Sequence, residues 1–173
     1  MQRNIALVNL DNVVRNAENI RSIIGSAKLC AVVKCDGYGH GAAAIANALH
    51  GVCDSFAVAL VDEGAHLRAA GVDEDILVLQ PALDETEVLR AAAYNMILTL
   101  ADDNDFLLVK KTCEKFGVRV RVHLKANTGM NRLGYGELFL GGALSPDELI
   151  ERYDAVTGEE VLGLARRLLA PET

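Results

Sequence analysis

The chain has 173 residues, of which 51% are hydrophobic and 24% are charged, a balance typical of globular domains. Its net charge of −7 and pI of about 5.1 argue against a nucleic acid or an anionic membrane as partner. No apolar run approaches the ~20 residues of a membrane span, and the first residues lack the order of a signal peptide. We therefore expect a cytoplasmic protein that binds neither nucleic acid nor membrane.

Apolar runs typical of strands alternate with helical periodicity between residues 11 and 124. Strands are predicted at 29–33, 56–60, 76–79, 96–100 and 118–124. Helices are predicted at 11–26, 41–49, 61–71, 84–93 and 101–116, with Asp11 and Asp84 as N-caps. Continuous apolar strands joined by helices indicate a parallel α/β sheet. Periodicity alone leaves two architectures open, a doubly wound sheet and part of a (β/α) barrel.

The pattern changes after Gly134. Ser145 followed by Pro146 is a typical helix start, and Thr157 opens a capping box before an apolar segment at 161–170. No segment beyond Gly134 reads as a strand that joins the sheet. The sequence therefore predicts an α/β domain at residues 1–134 and a tail of two helices at residues 135–173.

The segment from Ala31 to Gly41 carries the strongest chemical signal, with the sequence Ala-Val-Val-Lys-Cys-Asp-Gly-Tyr-Gly-His-Gly. A buried strand ends on Lys34, at the edge of the sheet where α/β folds place their chemistry. An amine there can act as nucleophile or base, and the glycines leave the backbone open to a ligand. The alternative is a lysine that only marks the solvated end of a strand.

This segment resembles the pyridoxal-phosphate lysine motif of the alanine racemases. A second segment at 122–134, Val-His-Leu-Lys-Ala-Asn-Thr-Gly-Met-Asn-Arg-Leu-Gly, resembles the later signature of that family. The similarity covers about residues 4–134, the first half of the family's barrel. The resemblance therefore implies an α/β fold, a partial (β/α) barrel with about five parallel strands. It also implies the interconversion of L- and D-alanine with pyridoxal 5'-phosphate as cofactor, a role in supplying D-alanine for cell-wall precursors, and a homodimer.

The resemblance implies roles for four positions. Lys34 would bind pyridoxal phosphate covalently and serve as one of two catalytic bases, and Tyr38 would hydrogen-bond the cofactor phosphate. Arg132 would hold the substrate carboxylate and the phenolic oxygen of the cofactor, a task suited to a planar cation with several donors. Lys125 matches the position that many members carbamylate, which creates an anion that positions the arginine. The sequence departs from the family at Asn127, where acidic residues are common.

Other family features have no counterpart after Gly134. The family's second base is a tyrosine from a C-terminal domain of the partner subunit, and later barrel strands complete its cofactor site. Three alternatives follow from the sequence: an N-terminal fragment or chimera of an alanine racemase, a non-catalytic pyridoxal-phosphate-binding protein, and an inactive chimeric chain.

The tail has a resemblance of its own. Residues 130–138 and 144–157 are similar to a C-terminal stretch of the insulinase-type zinc processing peptidases, which carry a similar Met-Asn-Arg-Leu-Gly string. The sequence has no His-x-x-Glu-His motif, so neither a zinc peptidase activity nor a metal site is predicted. The chain thus reads as a splice of two families at a string that both share.

Overall fold

One sheet of five parallel strands organises the part of the chain that the structure describes, and its spatial order follows the sequence. The computed structural model describes residues 6–136 and residue 157. The strands are β1 (Cys30–Val32), β2 (Ser55–Val58), β3 (Asp75–Val78), β4 (Met96–Leu100) and β5 (Arg121–Leu124). They lie in the order β1-β2-β3-β4-β5, and every neighbouring pair is parallel. A doubly wound sheet reverses its strand order part-way. The unbroken order therefore confirms the predicted partial (β/α) barrel.

Five right-handed helices accompany the strands. They are α1 (Leu10–Ile24), α2 (Ala42–Ala48), α3 (Val61–Ala69), α4 (Glu85–Ala93) and α5 (Asp103–Phe116). The predicted N-cap of α4 is confirmed, because the Asp84 carboxylate accepts the N–H of Glu87 at 2.9 Å. The predicted N-cap of α1 is wrong. Asn9 accepts the N–H of Asn12 at 3.0 Å, and Asp11 lies inside the first turn. Asn and Asp are equally good caps, so the sequence did not decide between them.

The hydrophobic core lies between the helices and one face of the sheet. Residues in register across the strands share a face, so Ala31, Phe56, Ile76 and Met96 form one row towards the helices. Phe56 and Ile76 are fully buried. The alternate residues point to the barrel interior. Val32, on the edge strand β1, is 43% exposed there, whereas Ala57 and Ile97 are buried. Within the described residues β5 pairs with β4 alone, and all four of its residues are exposed.

Two predictions for the tail lie outside the described residues, the helix that starts at Ser145 and the helix over 161–170. Contacts divide the chain into two units, residues 1–135 and residues 136–173, and the fold described above belongs to the first. Among the described residues, no helix is both long and apolar enough to cross a membrane.

Asp54 connects α1 to the first edge of the sheet. Its Oδ2 atom accepts a hydrogen bond from the Arg21 guanidinium at 2.6 Å and another from the Leu29 N–H at 2.7 Å. The Arg21 hydrogen bond, followed by the Leu29 N–H, lowers the pKa of Asp54 below its ordinary value. Because the pKa is depressed in the folded state, the stabilisation is present above the unfolded-state pKa. It is lost as the pH falls through the folded-state pKa.

We expect Asp54→Asn to lower the free energy of unfolding at about pH 7. The gap to the wild type should close as the pH falls below 3.8, the ordinary pKa of the side chain, because protonated aspartate resembles asparagine in shape and charge. Urea unfolding of both proteins across this pH range measures the gap. A gap that does not change with pH would contradict the prediction.

Candidate active site

Lys34 lies at the carboxyl end of the sheet, on the side of the barrel interior. The Val33 N–H donates to the Ala57 carbonyl at 2.8 Å and continues the pairing of β1 with β2. Val32 and Ala57 are in register, so two residues further along Lys34 and Ala59 share the interior face. Both line a cavity of about 230 Å³, whose lining residues are Lys34, Ala59, Leu79, Gln80, Lys125, Arg132 and Leu133. The strand ends thus bring the predicted lysine to a cavity, as barrel enzymes do.

The cavity concentrates positive charge. Lys34, Lys125 and Arg132 line it together, and none of its seven lining residues is acidic. Lys34 and Lys125 are half-buried, whereas Arg132 is exposed. A second cavity of about 230 Å³ shares Lys125, Arg132 and Leu133 with the first. Three clustered cations form a site for anionic groups, and this donor set fits a ligand with phosphate and carboxylate groups, such as pyridoxal phosphate with an amino acid.

A left-handed turn follows β1 at Lys34–Gly39. Four consecutive residues, Cys35 to Tyr38, have φ values of 51–62° and ψ values of 37–49°. This conformation is natural for Gly37, but it costs roughly 1–2 kcal/mol for each of Cys35, Asp36 and Tyr38. The sequence predicted an open, glycine-rich segment here, and the left-handed run went unrecognised because three of its residues are not glycine. Strain of this kind persists only where the surroundings enforce it, and it clusters at functional sites.

Neighbouring groups hold this turn in place. The Gly37 N–H donates to the Val33 carbonyl at 2.8 Å, and the Asp36 carboxylate accepts the N–H of Ala42 at 2.8 Å. Gly37 is buried, and a Cβ atom there would approach the Ile45 side chain to 3.1 Å. The carboxylate of Glu63, a residue to which the sequence assigned no role in the site, accepts the N–H of Cys35 at 2.7 Å.

Tyr38 is placed beside Lys34 by this turn. Its ring centroid lies 5.9 Å from the Lys34 Nζ atom, within the range of a cation–π contact. The side chain is 60% exposed and does not line the cavity. Of the four predicted site residues, the structure brings Lys34, Lys125 and Arg132 into one cavity and leaves Tyr38 adjacent to Lys34.

Arg132 projects from a loop that closes on itself after β5. The Tyr135 N–H donates to the Lys125 carbonyl at 2.8 Å, and the Asn127 N–H donates to the Tyr135 carbonyl at 3.1 Å. The Tyr135 hydroxyl donates to the Asp102 carbonyl at 2.5 Å, and burial raises the pKa of this phenol. The first two bonds close the loop, and the bond to Asp102 ties it to the start of α5.

Asn127 closes the interior of the same loop. Its Oδ1 atom accepts the N–H groups of Gly129 at 3.2 Å and Asn131 at 3.0 Å, and its Nδ2 atom donates to the Asn131 side chain at 2.9 Å. A carboxylate could accept the two backbone bonds but could not donate the third. This donation is a structural use for the asparagine that stands where acidic residues are common in the family that the sequence resembles.

Gly134 is needed for this closure. A Cβ atom there would lie 2.8 Å from both the Asn127 nitrogen and the Lys125 carbonyl oxygen, at a φ of +119°. We expect Gly134→Ala to open the loop and displace Arg132 from the cavity. The affinity for added pyridoxal phosphate, used as an anionic probe of the cavity, should then fall roughly tenfold, the effect of losing one charge-assisted hydrogen bond. An absorbance titration measures the affinity. Gly129→Ala is the matched control, because Gly129 has a φ of +122° but an open Cβ position. Equal losses in both variants would show that backbone strain, not the clash, is responsible.

The fold and the site together define a class of protein: a (β/α) barrel segment whose first strand delivers a lysine to a cationic cavity. The family described as "Alanine racemase, N-terminal domain" matches residues 8–151. The chain belongs to this family.

Named relatives agree with the family. The chain is 36% identical over 135 residues to the alanine racemase of Streptococcus uberis, covering 78% of this chain and 36% of the relative. It is 40% identical over 131 residues to that of Streptococcus mutans, covering 75% of this chain and 34% of the relative. The solved structure of alanine racemase from Clostridium difficile 630 superposes with a TM-score of 0.70 at 30% identity, over 83% of this chain and 37% of that one. The chain thus spans about a third of the length of the relatives it matches.

Proposed function

We propose that this chain is the cofactor-lysine part of an alanine racemase and that it binds pyridoxal 5'-phosphate through Lys34. The observation that carries the proposal is the single cavity lined by Lys34, Lys125 and Arg132 at the carboxyl end of the sheet. When bound, pyridoxal phosphate supplies an electron sink that makes the Cα proton of the amino acid acidic. All other steps fall to residues of the protein.

Each predicted residue has a task in this proposal. Lys34 would hold the cofactor covalently, its amine condensing with the cofactor aldehyde with loss of water, and its amine would hold or return the proton at the substrate Cα atom. The Tyr38 hydroxyl would donate to the cofactor phosphate, and the Arg132 guanidinium would donate to the substrate carboxylate and to the phenolic oxygen of the cofactor. We further propose that the Lys125 amine adds to dissolved carbon dioxide and releases a proton, and that the resulting carbamate anion orients Arg132. Lys125 and Arg132 both line each of the two cavities, which supports an interaction between them.

Racemization needs a second base on the opposite face of the substrate. We propose that a partner subunit supplies it, that the assembled protein is a homodimer in the cytoplasm, and that alanine is its substrate. The D-alanine formed would serve cell-wall precursors. The match to alanine racemases, over about a third of their length, supports these proposals.

The tail remains part of the proposal. We propose a boundary between a barrel domain at residues 1–134 and a helical tail at residues 135–173. The tail contains sequence segments similar to the zinc processing peptidases. The family match runs to residue 151 and so overlaps the first part of this tail. The resemblance to zinc processing peptidases rests on the two sequence strings alone.

Reconstitution with pyridoxal phosphate tests the proposal directly. The full chain is incubated with the cofactor and reduced with borohydride, and the modified peptide is identified by mass spectrometry, while a second sample is assayed for racemization of L-alanine. We expect the adduct on Lys34. An adduct on Lys34 without turnover would favour the non-catalytic pyridoxal-phosphate-binding protein, and no adduct would contradict cofactor binding and favour the inactive chimeric chain.

A further inference from the structure

Three helices of the barrel begin with the same capping interaction by an acidic side chain. An acidic side chain in the first turn folds back and accepts backbone N–H groups of the residues that directly precede the helix. In α3, Glu63 Oε2 accepts the N–H of Ala59 at 2.6 Å and that of Leu60 at 3.3 Å. In α5, Asp105 Oδ2 accepts the N–H groups of Ala101 at 2.8 Å and Asp102 at 3.2 Å.

The third example lies in α4, where Glu87 Oε2 accepts the N–H of Leu83 at 2.8 Å. In all three helices one carboxylate oxygen is enough for the bonds to the start of the helix. This capping interaction by itself satisfies backbone N–H donors that the start of a helix leaves free.

Glu63 differs from the other two acids in the use of its second oxygen. Its Oε1 atom accepts the N–H of Cys35 at 2.7 Å, a residue 28 positions earlier in the chain. Cys35 directly follows Lys34 and is the first residue of the left-handed turn. The carboxylate therefore spans from the end of β2 to the backbone that carries the cofactor lysine. Cys35 adopts an unfavourable conformation, and its N–H donates to a charged acceptor. This hydrogen bond therefore helps to fix the backbone that sets the direction of the Lys34 side chain.

We propose that Glu63 is a positioning residue for Lys34: its second oxygen fixes the left-handed turn and so aims the Lys34 amine into the cavity and keeps Tyr38 beside it. The proposal rests on the proposed cofactor role of Lys34. It adds a residue in the first turn of α3 that acts through the Cys35 backbone and touches neither cofactor nor substrate.

A comparison of Asp105 with Glu63 shows which substitution would remove only one of the hydrogen bonds of Glu63. Asp105 occupies the same position of its helix as Glu63, and with a shorter side chain it still accepts both strand-end N–H groups. Glu63→Asp should therefore keep the bonds to Ala59 and Leu60 and lose only the bond to Cys35. Glu87→Asp is the matched control, because it removes the same methylene from an acid in the same helix position without contact to the turn.

Two measurements test the proposal. The first is amide hydrogen exchange of the peptide covering residues 34–39 in the cofactor-free full chain. The second is the rate at which pyridoxal phosphate becomes attached to Lys34, followed by borohydride trapping. For Glu63→Asp we expect faster exchange in the turn and attachment slowed roughly tenfold, as expected for one lost charge-assisted hydrogen bond. Glu87→Asp should change neither.

The outcomes separate this proposal from the function on which it rests. If the wild type acquires no adduct, the cofactor role of Lys34 fails, and the exchange data still decide whether Glu63 holds the turn. Attachment and exchange in Glu63→Asp within about twofold of the wild type would overturn the positioning role. Should Glu63→Asp fail to fold, as judged by its thermal transition, exchange of the Cys35 amide in the wild type decides. Protection of that amide supports the proposal, and exchange at the rate of an unstructured amide refutes it.

Discussion

Lys34→Ala is expected to abolish the covalent attachment of pyridoxal phosphate. The variant removes the amine that the register of β1 and β2 places at the carboxyl end of the barrel interior, and a methyl group cannot bond to the cofactor aldehyde. Borohydride reduction followed by mass spectrometry should find no modified residue in the peptide containing position 34. Lys34 is half-buried at a cavity, so the substitution should leave the sheet intact and the thermal transition near that of the wild type.

Two further variants separate covalent chemistry from charge. Lys34→Arg keeps the cation in the cavity but has no amine for the attachment, so we expect residual, reversible cofactor binding and no adduct. Lys111→Ala removes an exposed lysine of α5 and should behave as the wild type. An adduct that persists in Lys34→Ala, at Lys125 for example, would assign the cofactor to a different lysine of the same cavity.

Phe56→Ala is expected to destabilise the fold by about 3–5 kcal/mol. Phe56 is fully buried in β2, in register with Ala31 on one side and Ile76 on the other, so its ring packs where the sheet meets the helices. Truncation leaves a cavity that the backbone of a central strand cannot close. Because small domains are stable by only about 5–15 kcal/mol, the change should be visible as a large fall in the urea midpoint.

Phe106→Ala provides the control for this measurement. The Phe106 side chain on α5 is 47% exposed, and its removal should cost less than about 1 kcal/mol. Equal losses in the two variants would contradict a core centred on β2 and β3. The comparison also applies to the cofactor-free chain, so it does not depend on the proposed function.

Much of the fold follows from local signals in the sequence. The limits of β4 were predicted correctly as 96–100, since all five residues are apolar or buried and Asn95 turns the chain with a φ of 49°. The start of β5 was predicted three residues too early, at 118 instead of Arg121. Val118 and Val120 continue the apolar pattern, and only the pairing with β4 determines where the strand begins. Pattern alone also could not order the strands, because pairing is a property of the whole chain.

The candidate site was predictable where chemistry and local sequence coincide. Lys34 and Arg132 were found through motifs, and their common cavity agrees with a shared task. Glu63 was missed because its partner, Cys35, lies 28 residues away and contributes only a backbone N–H, which no side-chain pattern can reveal. The left-handed turn was missed for a similar reason. Its hand is imposed by bonds to Glu63 and Ala42, not by the intrinsic preference of Cys35 or Tyr38.

The sequential strand order also has a consequence for the timing of folding. Paired residues such as Ala31 with Phe56, and Phe56 with Ile76, are 25 and 20 residues apart, so each strand can join the sheet soon after it leaves the ribosome. The residues of the candidate site come together later than the first strands do. Lys34 is in place when β2 pairs, but Lys125 and Arg132 follow Lys34 by 91 and 98 residues in the chain. During synthesis the nascent chain therefore exposes Lys34 before the two other cations that line its cavity have been made.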